Sequence, residues 1–148
     1  MKTTGKTRKY IYAITLFFIT LSGFAQMPIF KRYYIADIPG LGWLAQFYVT
    51  HFIHYIAAIV LIALVVYIFL DFIFNGSGSN RITGSGYFKI AILSGLITSG
   101  GLMVYKNLPG VYFGHTTIII LDLAHLGLCM MLLSVSFYTF ILKKRWVN

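Results

Sequence analysis

Apolar residues gather into four long runs, separated by short stretches that are polar or rich in turn residues. They predict helices near residues 10–29, 45–74, 87–106 and 113–142. Each reaches or approaches the roughly 20 residues that a helix needs to cross a bilayer. The second and fourth exceed that length, so at about 1.5 Å per residue they tilt or project beyond the hydrocarbon. The pattern predicts one all-α integral membrane domain over residues 1–148, a bundle of four transmembrane helices.

The connections add little. Gly76-Ser77-Gly78-Ser79-Asn80-Arg81 reads as a flexible turn and lacks the Lys-Ser/Thr of a phosphate-binding loop. Asp37-Ile38-Pro39-Gly40-Leu41-Gly42-Trp43 combines turn residues with an interfacial Trp. No domain outside the membrane and no internal repeat is expected. In the third run Ala91, Gly95 and Ser99 recur every four residues. That small-residue stripe suits close approach of another helix or of a flat cofactor. The first run has a second reading. Met1–Gln26 has a basic start, an apolar stretch and small residues at Gly23-Phe24-Ala25, which are features of a secretory signal peptide. The segment is counted here as a helix.

Composition narrows the class. Hydrophobic residues make up 59% of the chain and charged residues 10%, with Asp37, Asp71 and Asp122 the three acids. Such a chain is neither an ordinary soluble globule nor a disordered one. The net charge of +9 raises the question of nucleic acid. However, Lys2, Lys6, Arg8 and Lys9 precede the first run, and Lys143, Lys144 and Arg145 follow the last. These cations flank membrane segments, so nucleic-acid binding is not expected. With the N-terminus inside, nine of the twelve Lys and Arg fall on the inner side, and only Lys31, Arg32 and Lys106 fall outside. The expected placement is multi-pass in a bacterial inner membrane, with both termini cytoplasmic. The single Cys129 excludes a disulfide framework and an iron–sulfur Cys cluster.

Ionisable groups at membrane depth are costly and usually functional. His51 and His54 lie early in the second run, and His115 and His125 early in the fourth, all toward the outer side. His54 stands 17 residues before Asp71, and His125 stands 18 before Lys143. If those charges mark one interface, the two imidazoles share a level, where a pair of His can hold a haem iron from both sides. His51 lies one turn from His54 and roughly 60° around the helix. It is an alternative ligand, or a hydrogen-bond partner for a propionate or a quinone. His115 is about 15 Å along a helix from His125, which favours an interfacial or loop role. Zinc is disfavoured, because it takes three or four close protein ligands. Asp122, one turn from His125, is costly if ionised and unpaired. Proton exchange with a quinol is one reading, and a hydrogen bond to a His or another subunit is the other.

Two motifs carry a family resemblance. Thr50-His51-Phe52-Ile53-His54-Tyr55-Ile56-Ala57-Ala58 and Leu123-Ala124-His125-Leu126-Gly127 resemble the second- and fourth-helix His motifs of the prokaryotic membrane cytochrome b family. That family includes cytochrome b561-type proteins and the gamma subunits of formate dehydrogenase and nickel–iron hydrogenase. The resemblance runs from Thr7-Arg8-Lys9 through Leu21-Ser22-Gly23 to the fourth helix. It implies haem b held by His54 and His125 as axial ligands near the outer face. Members with two haems carry further His near the start of the first helix and low in the fourth. Here those places read Arg8-Lys9-Tyr10-Ile11-Tyr12 and Ser134-Val135-Ser136-Phe137-Tyr138-Thr139. One haem is therefore expected, while a second on His51 and His115 would need bent geometry.

The resulting expectation is the membrane anchor and electron-transfer subunit of a respiratory oxidoreductase, not itself a catalyst. It would serve an extracytoplasmic iron–sulfur or cytochrome c partner and a quinone or another subunit. Lys31, Arg32 and Lys106 are candidates to meet propionates or an acidic partner. The alternatives are a non-redox scaffold or assembly subunit, and a small proton-coupled transporter using Asp122 and the His.

Overall fold

The computed structural model describes residues 3–27, 29–76 and 83–142. The predicted turn at residues 77–81 and the cations Lys2, Lys143, Lys144 and Arg145 lie outside the described residues. Among the described residues five α-helices follow one another: α1 (Thr3–Ala25), α2 (Ile29–Arg32), α3 (Phe47–Asp71), α4 (Gly84–Tyr105) and α5 (His115–Ile141). Two short 3-10 turns, Ile35–Asp37 and Gly42–Ala45, lie between α2 and α3, and α3 runs on into a π turn at Phe72–Gly76. No strand occurs among the described residues. Among the described residues three helices, α3 with its π extension, α4 and α5, are long and apolar enough to cross a membrane. Their many β-branched residues do not prevent helix, because a segment in lipid must satisfy its own backbone hydrogen bonds.

The predicted bounds shift at the first helix, which begins at Thr3 instead of residue 10 and ends at Ala25 instead of 29. The Gln26 N–H is shared between the Ser22 and Gly23 carbonyls, and that of Met27 reaches only back to Phe24, so the chain tightens out of the helix there. At the start of α4, Thr83 Oγ1 accepts from the Gly86 N–H at 3.1 Å, satisfying one of the amides that the first turn leaves unpaired.

The residues form two compact units, Met1–Phe74 and Asn75–Asn148. In the first, α1 packs along α3, and α2 and the 3-10 turns close the connecting end. Its buried residues include Ala25, Leu44, Ala57 and Leu61, with Ser22 and Thr50 fully enclosed. In the second, α4 packs along α5 around Ile92, Leu93 and Leu132, with Lys89, Ser99 and Thr139 also buried. Large apolar side chains such as Phe52, Phe69, Ile120, Leu123 and Phe140 stay exposed. Exposure on that scale suits a lipid-facing surface.

Each unit is a helical hairpin closed by the same kind of turn. Ile38-Pro39-Gly40-Leu41 is bridged by Leu41 N–H to the Ile38 carbonyl at 2.9 Å, with Gly40 at φ 89°. Leu108-Pro109-Gly110-Val111 is bridged by Val111 N–H to the Leu108 carbonyl at 3.2 Å, with Gly110 at φ 81°. Pro second and a positive-φ Gly third are the type II arrangement, and a side chain at that Gly would be strained. The opposite ends are tied as well. Arg8 donates to Asp71 Oδ2 at 2.6 Å across α1 and α3, with its guanidinium 6.0 Å from the Tyr67 ring centre. Lys89 donates to Thr139 Oγ1 at 2.6 Å across α4 and α5, while the Thr139 hydroxyl donates to the Ser136 carbonyl.

Candidate cofactor-binding histidines

His54 is half-buried on α3 and faces α1. Its Nδ1 lies 3.0 Å from the Ile19 carbonyl and 3.2 Å from Ser22 Oγ. Gly23 sits against the ring. A Cβ at that position would come within 3.1 Å of His54 Cε1, so Gly is what lets helix and imidazole meet. His125 is half-buried on α5 and faces α4. Its Nδ1 lies 2.7 Å from Ser99 Oγ, and a Cβ at Gly100 would stand 3.4 Å from its Cε1. The two His are thus seated alike. A Ser-Gly doublet on the first helix of each hairpin meets a His on the second, and one ring nitrogen is engaged by an oxygen.

His51 and His115 are placed differently. His51 Nδ1 lies 3.1 Å from Gln26 Oε1, and its ring stacks on Phe47 and tilts against Tyr55. It belongs to an aromatic cluster at the loop end of the first hairpin. His115 is exposed and opens α5. Asp122 forms an ion pair with Lys106 across α4 and α5 at 3.5 Å. That gives its charge a partner other than the His or second subunit considered from the sequence. Lys31 and Arg32 are exposed on α2.

Between α1 and α3 lies an open groove of about 270 Å³ that His54 does not line. Its lining is apolar apart from Thr15 and includes Ile14, Phe18, Phe52, Ile56 and Val60. Such a lining suits hydrocarbon or the edge of a flat apolar group.

Among the described residues no group of three or more His, Cys, Asp or Glu is arranged to hold a metal ion. Axial ligation of haem iron needs only two side chains, and imidazole is chemically suited to it. Sequence reasoning singled out His54 and His125 but missed Ser22, Gly23, Ser99 and Gly100 as their seats. The signal was present in both halves, as Ser-Gly followed by Pro-Gly followed by His. No protein-family model, curated protein or solved structure matches the chain.

Proposed function

We propose that this chain is a haem b-binding membrane anchor and electron-transfer subunit of a respiratory oxidoreductase, with His54 and His125 as the axial ligands. It spans a bacterial inner membrane four times, α1 included, with both termini cytoplasmic. The observation that carries the proposal is the matched seating of these two His and of no other His in the chain. Haem, when bound, supplies one-electron chemistry, and the protein supplies position and electrostatics. The residues have separable tasks. Gly23 admits the His54 ring, the oxygens at Nδ1 hold both rings, and the apolar helix faces exclude water. Lys31 and Arg32, exposed on α2, are placed to meet an acidic partner or propionates outside. Lys106 is committed to Asp122. The reading thereby assigns this acid a structural ion pair in place of a proton path.

The test is a reduced-minus-oxidised visible spectrum of the purified full chain. A b-type alpha band is expected. A flat difference spectrum, from protein expressed with haem in excess, would leave the non-redox scaffold as the better reading.

A further inference from the structure

The proton count around the two seated His decides which ring nitrogen carries the proton and which the lone pair. At His54 the Ile19 carbonyl can only accept, so Nδ1 must carry the proton. Ser22 has a single proton, and it goes to the Phe18 carbonyl at 2.6 Å. Its oxygen therefore meets Nδ1 as a second acceptor, at 3.2 Å. At His125, Ser99 Oγ lies 2.7 Å from Nδ1 and 3.2 Å from the Leu96 carbonyl; with the proton on Nδ1 the ring N–H donates to Oγ and the hydroxyl donates to Leu96, so both donors are used. Among the described residues Ser99 Oγ is the one hydrogen-bond partner of that nitrogen. Both serines are buried, where an unsatisfied N–H or hydroxyl costs about 1–3 kcal/mol, which favours the arrangement that uses both donors.

We propose that Ser22 and Ser99 are positioning residues. Ser99 holds the Nδ1 proton of His125 and so selects the tautomer whose lone pair lies on Nε2, while Ser22 adds a second acceptor to the His54 Nδ1 proton that the Ile19 carbonyl already fixes. A metal takes the imidazole in that form, and an acceptor behind the N–H makes the ligand more basic. This inference rests on the haem-ligand reading for its purpose, but the tautomer stands by itself. The two sites differ in one respect. If Ser22 is lost, the Ile19 carbonyl still accepts from His54, whereas loss of Ser99 leaves the His125 Nδ1 proton without an acceptor.

The test uses the full chain in detergent micelles, labelled with 15N at His. Long-range 15N–1H spectra distinguish a protonated from a bare ring nitrogen, with or without haem. In the haem-free chain His54 and His125 are both expected as Nδ1–H. Ser99→Ala shifts His125 toward Nε2–H, and Ser99→Thr, which keeps the hydroxyl, restores it. Ser22→Ala leaves His54 as Nδ1–H. In the haem-loaded chain Ser99→Ala raises the midpoint potential, because a less basic ligand favours ferric iron less, and weakens haem affinity about 10–100-fold. Ser22→Ala moves both in the same sense by less. His125 found as Nε2–H in the unaltered chain would overturn the proposal. So would a Ser99→Ala chain that keeps both its tautomer and its midpoint potential. A chain that takes up no haem at all would refute the haem reading, and the tautomer arm would still decide the serine assignment.

Discussion

The two hairpins reach the same local design through unlike sequences. Each has a Ser-Gly doublet on its first helix, a Pro-Gly turn, a His on its second helix, and a cation tie at the open end. The ties differ most. In the first hairpin Arg8 and Asp71 form a charge pair, with each side chain about one third exposed. In the second, Lys89 is 4% exposed and leans on a neutral hydroxyl. The His seats differ in slack. His54 has two oxygens at Nδ1 and a tight Gly, whereas His125 has one oxygen and a looser Gly. Matching parts in both halves indicate a requirement common to both. The unmatched details show where each hairpin stabilises itself.

Breaking the comparison at its centre has the largest effect. His54→Ala removes the imidazole that α1 holds, and His51→Ala removes one that belongs to the aromatic cluster. Haem content measured after identical purification is expected to vanish in the first variant and persist in the second. The reverse result would move the ligand by one turn. Next come the seats. Gly23→Ala places a Cβ 3.1 Å from the His54 ring, against 3.4 Å for Gly100→Ala at His125. Overpacking at the first distance costs about 1–3 kcal/mol, whereas the second is an ordinary van der Waals contact. Thermal unfolding should therefore fall more for Gly23→Ala than for Gly100→Ala, and equal losses would contradict the difference in slack.

Smaller effects belong to the ties. Asp71→Asn loosens the open end of the first hairpin by about 1 kcal/mol or less, after discounting for the exposure of the pair. Lys89→Met is expected to cost less, because removing the buried charge offsets the loss of its bonds, the one to Thr139 among them, and Met fills similar space. Limited proteolysis of the α1 and α4 ends in bilayers would read the contrast. The smallest effect is at Lys106 and Asp122, whose ion pair is 3.5 Å long with Asp122 more than half exposed. Lys106→Ala should change stability by no more than a few tenths of a kcal/mol and little at all in high salt.

How much of this was legible beforehand depends on the length of the pattern. Runs of twenty or more apolar residues mark helices whatever they pack against, so the four long helices could be read directly. The end of α1 could not, because a tightened last turn at Gln26 and Met27 leaves no apolar signature. His54 and His125 stood out as polar residues in apolar runs. Their serines did not, because Ser22 and Ser99 are matched to a His only once the facing sides of the helices are known. The repeat was hidden by unequal spacing. Gly23 and Pro39 are 16 residues apart, while Gly100 and Pro109 are 9 apart, so no fixed period joins the halves. Lys106 and Asp122 each stand out in the sequence, but their pairing across the second turn depends on the register of α4 against α5.

The seating of α1 also bears on its resemblance to a signal peptide. Arg8, Ile19, Ser22 and Gln26 all bond to α3, so cleavage after Ala25 would strip His54 of both oxygens at Nδ1. Intact mass of membrane-extracted protein should include residues 1–25.

The most direct measurement is haem per chain, from pyridine haemochrome absorbance and amino-acid analysis of the purified full-length protein and of its His54→Ala and His125→Ala variants. The account predicts one haem b in the unaltered chain and none in either variant. A haem-free unaltered chain, or a full complement retained by either variant, would contradict it.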